Sequence, residues 1–281
     1  MNLSLNDIRE DIERGVRQAL DEDLGSGDIS AKLIPEDSVK SAYIITREDC
    51  VLCGSAWLDE TFKQLGGLDS ITWHARDGEF VKAGGKLVSL KGKARTLLSG
   101  ERVALNFIQL LSAVASKAKQ YKDTLGESKI TLLDTRKTLP GLRLAQKYAV
   151  SCGGLSNHRI GLYDMFMLKE NHIAACGDIR AAVNKAREIA PGKKVEVETE
   201  NLDELKQAIS AGADVAMLDN FSEAMLKEAF TLERGKTKFE LSGDLSLEAL
   251  TKARNLPVDY CSFGDLTKNV RAVDLSMRVE K

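Results

Sequence analysis

From residue 130 onward, short apolar runs alternate with longer amphipathic ones, and this alternation restricts the fold more than any other feature of the chain. Strand-like runs at 130–133, 165–168, 194–198, 214–218, 237–242 and 258–263 are separated by helix-like runs at 141–150, 177–190, 202–211, 222–233 and 246–255. Repeated β-then-α units require parallel strands joined by helical crossovers. Each strand ends in polar residues: Arg136 and Lys137 after the first, Lys169 after the second, Glu198 and Asp219 on the third and fourth, Ser242-Gly243 and Gly264 at the last two. A barrel of parallel strands carries its functional face at these carboxyl ends. An open doubly wound sheet is the alternative, and it would bind its ligand at a switch point in the strand order.

The first part of the chain has a different texture. Ile8, Ile12, Val16 and Leu20 form one stripe of a helix over 6–20. The acidic, glycine-bearing turn from Asp23 to Asp28 reads as solvated rather than as a metal loop. Between residues 41 and 90, β-rich runs at 42–46, 71–75 and 87–90 alternate with turns and one helix-like piece at 57–65, a small α+β domain. Residues 97–125 form a long helical region, with a break expected near Gly100. That break would place Arg102 at a helix start, against the dipole, as though something negative meets it. The alternating stretch 272–279 reads as a strand returning to the first domain.

A chain of 281 residues with 43% hydrophobic content has ample material for a buried core. Its net charge of −2 gives no global field to hold nucleic acid or an acidic membrane surface. The N-terminus lacks a secretory signal, and no window approaches the roughly 20 apolar residues that span a bilayer. A cytoplasmic protein is expected. Cys50 and Cys53 form a lone C-x-x-C without a second ligand pair, so the five cysteines suggest neither zinc nor redox chemistry. His74 reads as a structural residue on a strand.

Positive charge is local. Asp134 to His172 carries Arg136, Lys137, Arg143, Lys147, Arg159 and Lys169 against Asp134, Asp164 and Glu170, and holds two of three histidines. Scattered surface ion pairs are worth about 0–1 kcal/mol each and would explain any one cation; several cations following apolar strands point instead to an anionic ligand. Glu198 and Asp219 end consecutive strands, where they suit Mg²⁺ or a developing positive charge on a sugar ring. Helix capping by Asp219 and pairing of Glu198 with a lysine are the plainer alternative. Ser242-Gly243-Asp244 and Ser262-Phe263-Gly264 suit a phosphate at a helix N-terminus, or are plain tight turns. His158 suits a carboxylate, an acid role or a structural one. His172 reads as structural.

Several ordered blocks resemble the quinolinate phosphoribosyltransferase family: Asp-Thr-Arg-Lys-Thr at 134–138, Pro-Gly-Leu-Arg at 140–143, Asn-His-Arg-Ile-Gly-Leu at 157–162, Leu-Lys-Glu-Asn-His at 168–172, Gly-Glu-Arg-Val-Ala-Leu-Asn-Phe at 100–107, Val-Glu-Val-Glu at 195–198 and Met-Leu-Asp-Asn-Phe at 217–221. The resemblance covers nearly the whole chain. It implies an N-terminal α/β sandwich over 1–112 and an incomplete, TIM-like α/β barrel over 113–270, with 271–281 returning to the first domain. The implied reaction joins quinolinate to phosphoribosyl pyrophosphate with Mg²⁺, releasing pyrophosphate and carbon dioxide and leaving nicotinate mononucleotide for NAD synthesis. Thr135, Arg136, Lys137, His158, Arg159 and Lys169 would line the substrate pockets, with Lys137, Glu198 and Asp219 catalytic. Glu198 and Asp219 would face the ribose and the metal, directly or through substrate-bound Mg²⁺. Ser242, Gly243, Asp244, Ser262 and Gly264 would hold the ribose phosphate, and Arg102 would complete the neighbour's site in a homodimer. Leu155, Asp244 and Asp265 depart from the family pattern. The rival readings are a related protein of molybdenum transport and a non-catalytic sensor of a phosphorylated metabolite.

Overall fold

The computed structural model describes residues 2–243 and 246–280. In chain order the strands are β1 (Val39–Thr46), β2 (Cys50–Val51), β3 (Ser70–Trp73), β4 (Phe80–Val81), β5 (Lys86–Lys93), β6 (Thr131–Leu133), β7 (Phe166–Leu168), β8 (Val195–Thr199), β9 (Val215–Asp219), β10 (Lys238–Ser242), β11 (Tyr260–Ser262) and β12 (Leu275–Val279). They fall into two compact units, Met1–Lys122 with Lys137–Leu155 and Leu266–Lys281, and Asp123–Arg136 with Ser156–Asp265.

In the first unit, alternating residues of β1 put Ala42, Ile44 and Thr46 on a buried face. β1 pairs antiparallel with β5 on one side and β12 on the other, giving the order β12-β1-β5-β3. The C-terminal stretch thus pairs Leu275 with Thr46 and Met277 with Ile44. Leu58 and Phe62 of the helix Ser55–Gln64 and Leu97, Leu105 and Ile108 of the helix Ala94–Leu125 cover this sheet. The latter helix is continuous, so the break expected near Gly100 does not occur. A Cβ at Gly100 would lie 2.6 Å from Phe62 and 2.9 Å from Leu65, so the glycine permits close packing instead of ending a helix. Arg102 therefore sits in the third turn, beyond the reach of the N-terminal dipole, and the argument from a helix start does not hold for it. Asp28 is likewise more than a solvated turn residue: its carboxylate accepts from the Ala31 amide at 2.9 Å and the Ser99 hydroxyl at 2.8 Å.

The second unit is a parallel sheet in the order β6-β11-β10-β9-β8-β7. Strands β7 to β11 follow one another without reversal and β6 joins beside β11, the order of a barrel left open between β6 and β7. A doubly wound sheet would reverse its order at a switch point. Among the described residues, only an isolated bridge from Ser156 to Leu133 extends the free edge of β6. The crossover helices start on the side-chain oxygens of Asp178, Asn201, Ser222 and Ser246, each accepting an amide at 2.7 to 3.3 Å. The helix expected over 177–190 is Ile179–Ile189, and a further short helix, Glu170–Cys176, precedes it and ends at Gly177 with φ 103. Among the described residues no helix is long and apolar enough to cross a membrane.

Candidate active site

Strand parity decides which side chains can meet. In β8, Val195, Val197 and Thr199 are buried on one face while Glu196 and Glu198 share the other. The in-register pairs Glu198 with Met217, Met217 with Glu240, and Asp219 with Ser242 carry that second face across β9 and β10. Glu198, Asp219 and Ser242 therefore lie on one side of the sheet at its carboxyl end.

Lys169 follows β7 directly, and its Nζ makes an ion pair with Glu198 Oε2. The Lys169 amide donates to His172 Nδ1 at 3.1 Å, so His172 supports the lysine's backbone. Arg159 is half-buried; burial, then the neighbouring Arg136 charge, holds it below the usual arginine range, with Glu196, Asp164 and Glu198 acting the other way. Two guanidiniums close enough to repel form a place for an anion. Lys137 is exposed, and its carbonyl accepts from the Thr267 hydroxyl at 2.8 Å. Thr135 is half-buried beside them in the chain.

Asp219 Oδ2 accepts from Asn220 Nδ2 at 3.0 Å, and Asn220 holds the left-handed region at φ 54. The Asn220 amide donates to the Ser242 carbonyl at 3.2 Å, and a Cβ on Gly243 would stand 2.5 Å from Asn220 Oδ1. Gly243, at φ +132, is thus required twice over. Ser262 is buried and Gly264 half-buried after β11. The following helices, Leu247–Ala253 and Asp265–Lys268, are short, and the first already spends its Ala249 amide on Ser246. Asp244 lies outside the described residues.

His158 differs most from its expected setting. It is 9% exposed, and its Nε2 lies 3.2 Å from Glu196 Oε2 and 3.4 Å from Glu240 Oε2, both glutamates being essentially buried. Nδ1 accepts from the Arg159 amide at 2.7 Å. Burial acts against a charge on this ring, but the hydrogen bonds to Glu196 and Glu240 and their charges outweigh it and push His158 up to about 10. Burial, then the Glu240 charge, lifts Glu196 to about 7. Both shifts favour an added proton within the cluster. On Nδ1 that proton would face the Arg159 amide, so the geometry places it on the carboxyl pair. Asp134, fully buried, accepts from Asn157 Nδ2 at 2.7 Å and the His158 amide at 2.8 Å. Sequence reasoning passed over Glu196, Glu240, Asn157 and Asn220. The signal for the two glutamates was their place inside apolar strands, Val-Glu-Val and Phe-Glu-Leu.

In the first unit, Cys53 groups with Asp77 and Cys152 rather than with Cys50. The Asp77 carboxylate accepts from the Gly54 and Ser55 amides and the Tyr148 hydroxyl, and burial raises the Cys53 thiol well above its usual value. His74 hydrogen-bonds Ser89 at 2.8 Å, a structural setting just past β3.

The model of the quinolinate phosphoribosyl transferase C-terminal domain matches residues 114–278, and that of the N-terminal domain matches residues 28–112. The chain belongs to the quinolinate phosphoribosyltransferase family. With that membership goes quinolinate phosphoribosyltransferase activity in NAD biosynthesis. A probable nicotinate-nucleotide pyrophosphorylase (carboxylating) of Bacillus subtilis is 41% identical over 92% of this chain and 90% of its own. A chloroplastic relative from Arabidopsis thaliana is 37% identical over 96% of this chain and 83% of its own. The solved nicotinate-nucleotide pyrophosphorylase of Francisella tularensis superimposes with a TM-score of 0.91, at 45% identity over 96% of both chains. Of the family departures, Leu155 is buried at 4% exposure, so the larger side chain is absorbed by the core.

Proposed function

We propose that the carboxyl end of this barrel transfers a phosphoribosyl group from phosphoribosyl pyrophosphate to quinolinate, and that the residues gathered there do the work. The observation that carries the assignment is the concentration of Arg136, Arg159 and Lys169 beside Glu198 on the face shared with Asp219. Arg136, Lys137, Arg159 and Lys169 neutralise the two quinolinate carboxylates and the pyrophosphate, with Thr135 lining the same pocket. Ser242, Gly243, Asp244, Ser262 and Gly264 hold the ribose phosphate through loop amides and hydroxyls.

In the transfer, the bond from the ribose anomeric carbon to pyrophosphate breaks and a bond from the quinolinate nitrogen to that carbon forms. Glu198 and Asp219 stabilise the positive charge that develops on the ribose. The carboxylate beside the ring nitrogen then leaves as carbon dioxide; its bonding electrons pass to the cationic ring and a proton takes its place. Two carboxylates at neighbouring strand ends suit a hard cation that keeps most of its oxygen ligands from substrate and water. Mg²⁺ held there by Glu198 and Asp219, directly or through the pyrophosphate, would supply charge neutralisation to the leaving group. His158, with both ring nitrogens engaged inside the protein, supports the pocket from beneath. We also assign a cytoplasmic location and a homodimer in which Arg102, exposed on its helix, reaches the partner's site.

The deciding assay mixes the purified protein with quinolinate, phosphoribosyl pyrophosphate and Mg²⁺, with nicotinate in parallel. Equal yields of nicotinate mononucleotide and carbon dioxide from quinolinate alone are expected. A folded sample that makes neither would end the assignment.

A further inference from the structure

Burying two carboxylates side by side on one barrel face is costly, and apolar residues of the same size would usually hold a core as well or better. Glu196 is 0% and Glu240 1% exposed, and both Glu196 oxygens and Glu240 Oε1 lack a full hydrogen bond. Something other than stability keeps them. Their common neighbour is the His158 ring, and its other nitrogen is where the geometry is decisive. Because Nδ1 accepts the Arg159 amide proton, a neutral ring must carry its own proton on Nε2, the atom aimed at both glutamates.

The arrangement could also be drawn as a metal site, since His158, Glu196 and Glu240 present ligand atoms within 4.8 Å of one another. A metal on Nε2 would displace its proton, and the ring would then offer Nδ1–H to an amide that is itself a donor. The tautomer therefore argues for a proton-bearing support.

We propose that Glu196 and Glu240 are positioning residues that act through His158 to set Arg159 for the anionic substrate. Resting on the function assigned above, the device works by pinning one short loop from three strands. Asp134, just past β6, takes the Asn157 side chain and the His158 amide. Glu196 on β8 and Glu240 on β10 fix the ring, and the ring fixes the Arg159 amide. The Arg159 side chain then leaves a backbone with no rotational slack, and its Nη2 rests 3.3 Å from Met167 Sδ on β7. Preorganisation of this kind lowers the cost of ordering a long cationic side chain when substrate arrives.

The test has two arms. Long-range proton–nitrogen spectra of the wild-type imidazoles, three in all, are assigned by His158→Gln. One ring held neutral as the Nε2–H form at neutral pH is expected; an Nδ1–H or doubly protonated His158 would overturn the proposal. The second arm replaces both carboxylates, as Glu196→Leu with Glu240→Leu and as the paired glutamines. The KM for quinolinate should rise about 10- to 100-fold, the range usual for groups that orient a ligand-binding side chain. The KM for phosphoribosyl pyrophosphate should change little, and the melting temperature of the leucine pair should hold or rise. An unchanged quinolinate KM in a folded variant, or a uniform loss that tracks a falling melting temperature, defeats the idea. Wild-type turnover tests the assigned function separately, since the spectra are read without substrate.

Discussion

Lys169 and Glu198 show how much one contact changes a residue's meaning. Either alone is a polar group after an apolar run; paired at a barrel's carboxyl end, they become a charge that substrate can exchange for its own. Glu198→Gln preserves shape and removes the charge, so turnover should drop by about 100-fold or more, as for other electrostatic groups aimed at a transition state. Single-turnover measurements that separate binding from chemistry would check it. Gly243→Ala tests the neighbouring loop. Its Cβ would strike Asn220 Oδ1 at 2.5 Å, and its φ of +132 suits glycine alone, so a loss of about 1 kcal/mol or more is expected by denaturant unfolding. The KM for phosphoribosyl pyrophosphate should rise with it. These residues were legible as types and spacings. The partnership of His158 with Glu196 and Glu240 was not, because 38 and 82 residues separate the histidine from the two carboxylates.

At the level of elements, the alternation after residue 130 named the strands closely, because each is an apolar run, and the helices after β8, β9 and β10 begin at the caps Asn201, Ser222 and Ser246. Boundaries failed where packing overrode local signals. Gly100 reads as a helix breaker, yet the helix Ala94–Leu125 runs through it because Phe62 and Leu65 occupy the space a side chain would need. Gly100→Ala gains about 1 kcal/mol in intrinsic propensity. It should nevertheless destabilise the protein by about 1–3 kcal/mol through overpacking, measurable as a lower unfolding midpoint. Asp178→Ala should remove the cap on Ile179–Ile189, at a cost of about 1 kcal/mol. The two-residue strands β2 and β4 left no periodic signal to find, since alternation needs more than one repeat.

Across the whole molecule, the buried cluster ties stability to pH. The folded value for His158, about 10, lies above its ordinary 6.5, so the folded state holds the more protons between them. Stability from this source is complete below the lower value and is lost as pH rises through the upper one, whichever atom of the cluster holds the proton. The melting temperature should therefore fall from about pH 7 to about pH 10, and the slope should flatten in the paired leucine variant. The proposed homodimer makes a different prediction. Mixing subunits carrying Arg102→Ala with subunits carrying Lys169→Ala, each inactive alone, should restore turnover if Arg102 serves the neighbouring site; no recovery after confirmed exchange would assign Arg102 to its own subunit.

By itself the sequence determined the βα alternation, the barrel class, the family and the cationic strand ends, because these follow from local periodicity and from residue types read in order. Only the tertiary structure decided that the long helix is unbroken, that Arg102 is not a helix-start cation, and that His158 turns inward onto two buried glutamates. Those outcomes depend on which distant strands share a face and what fills the space beside a glycine. Local propensity has no term for either, since both are set by the packing of segments far apart in the chain.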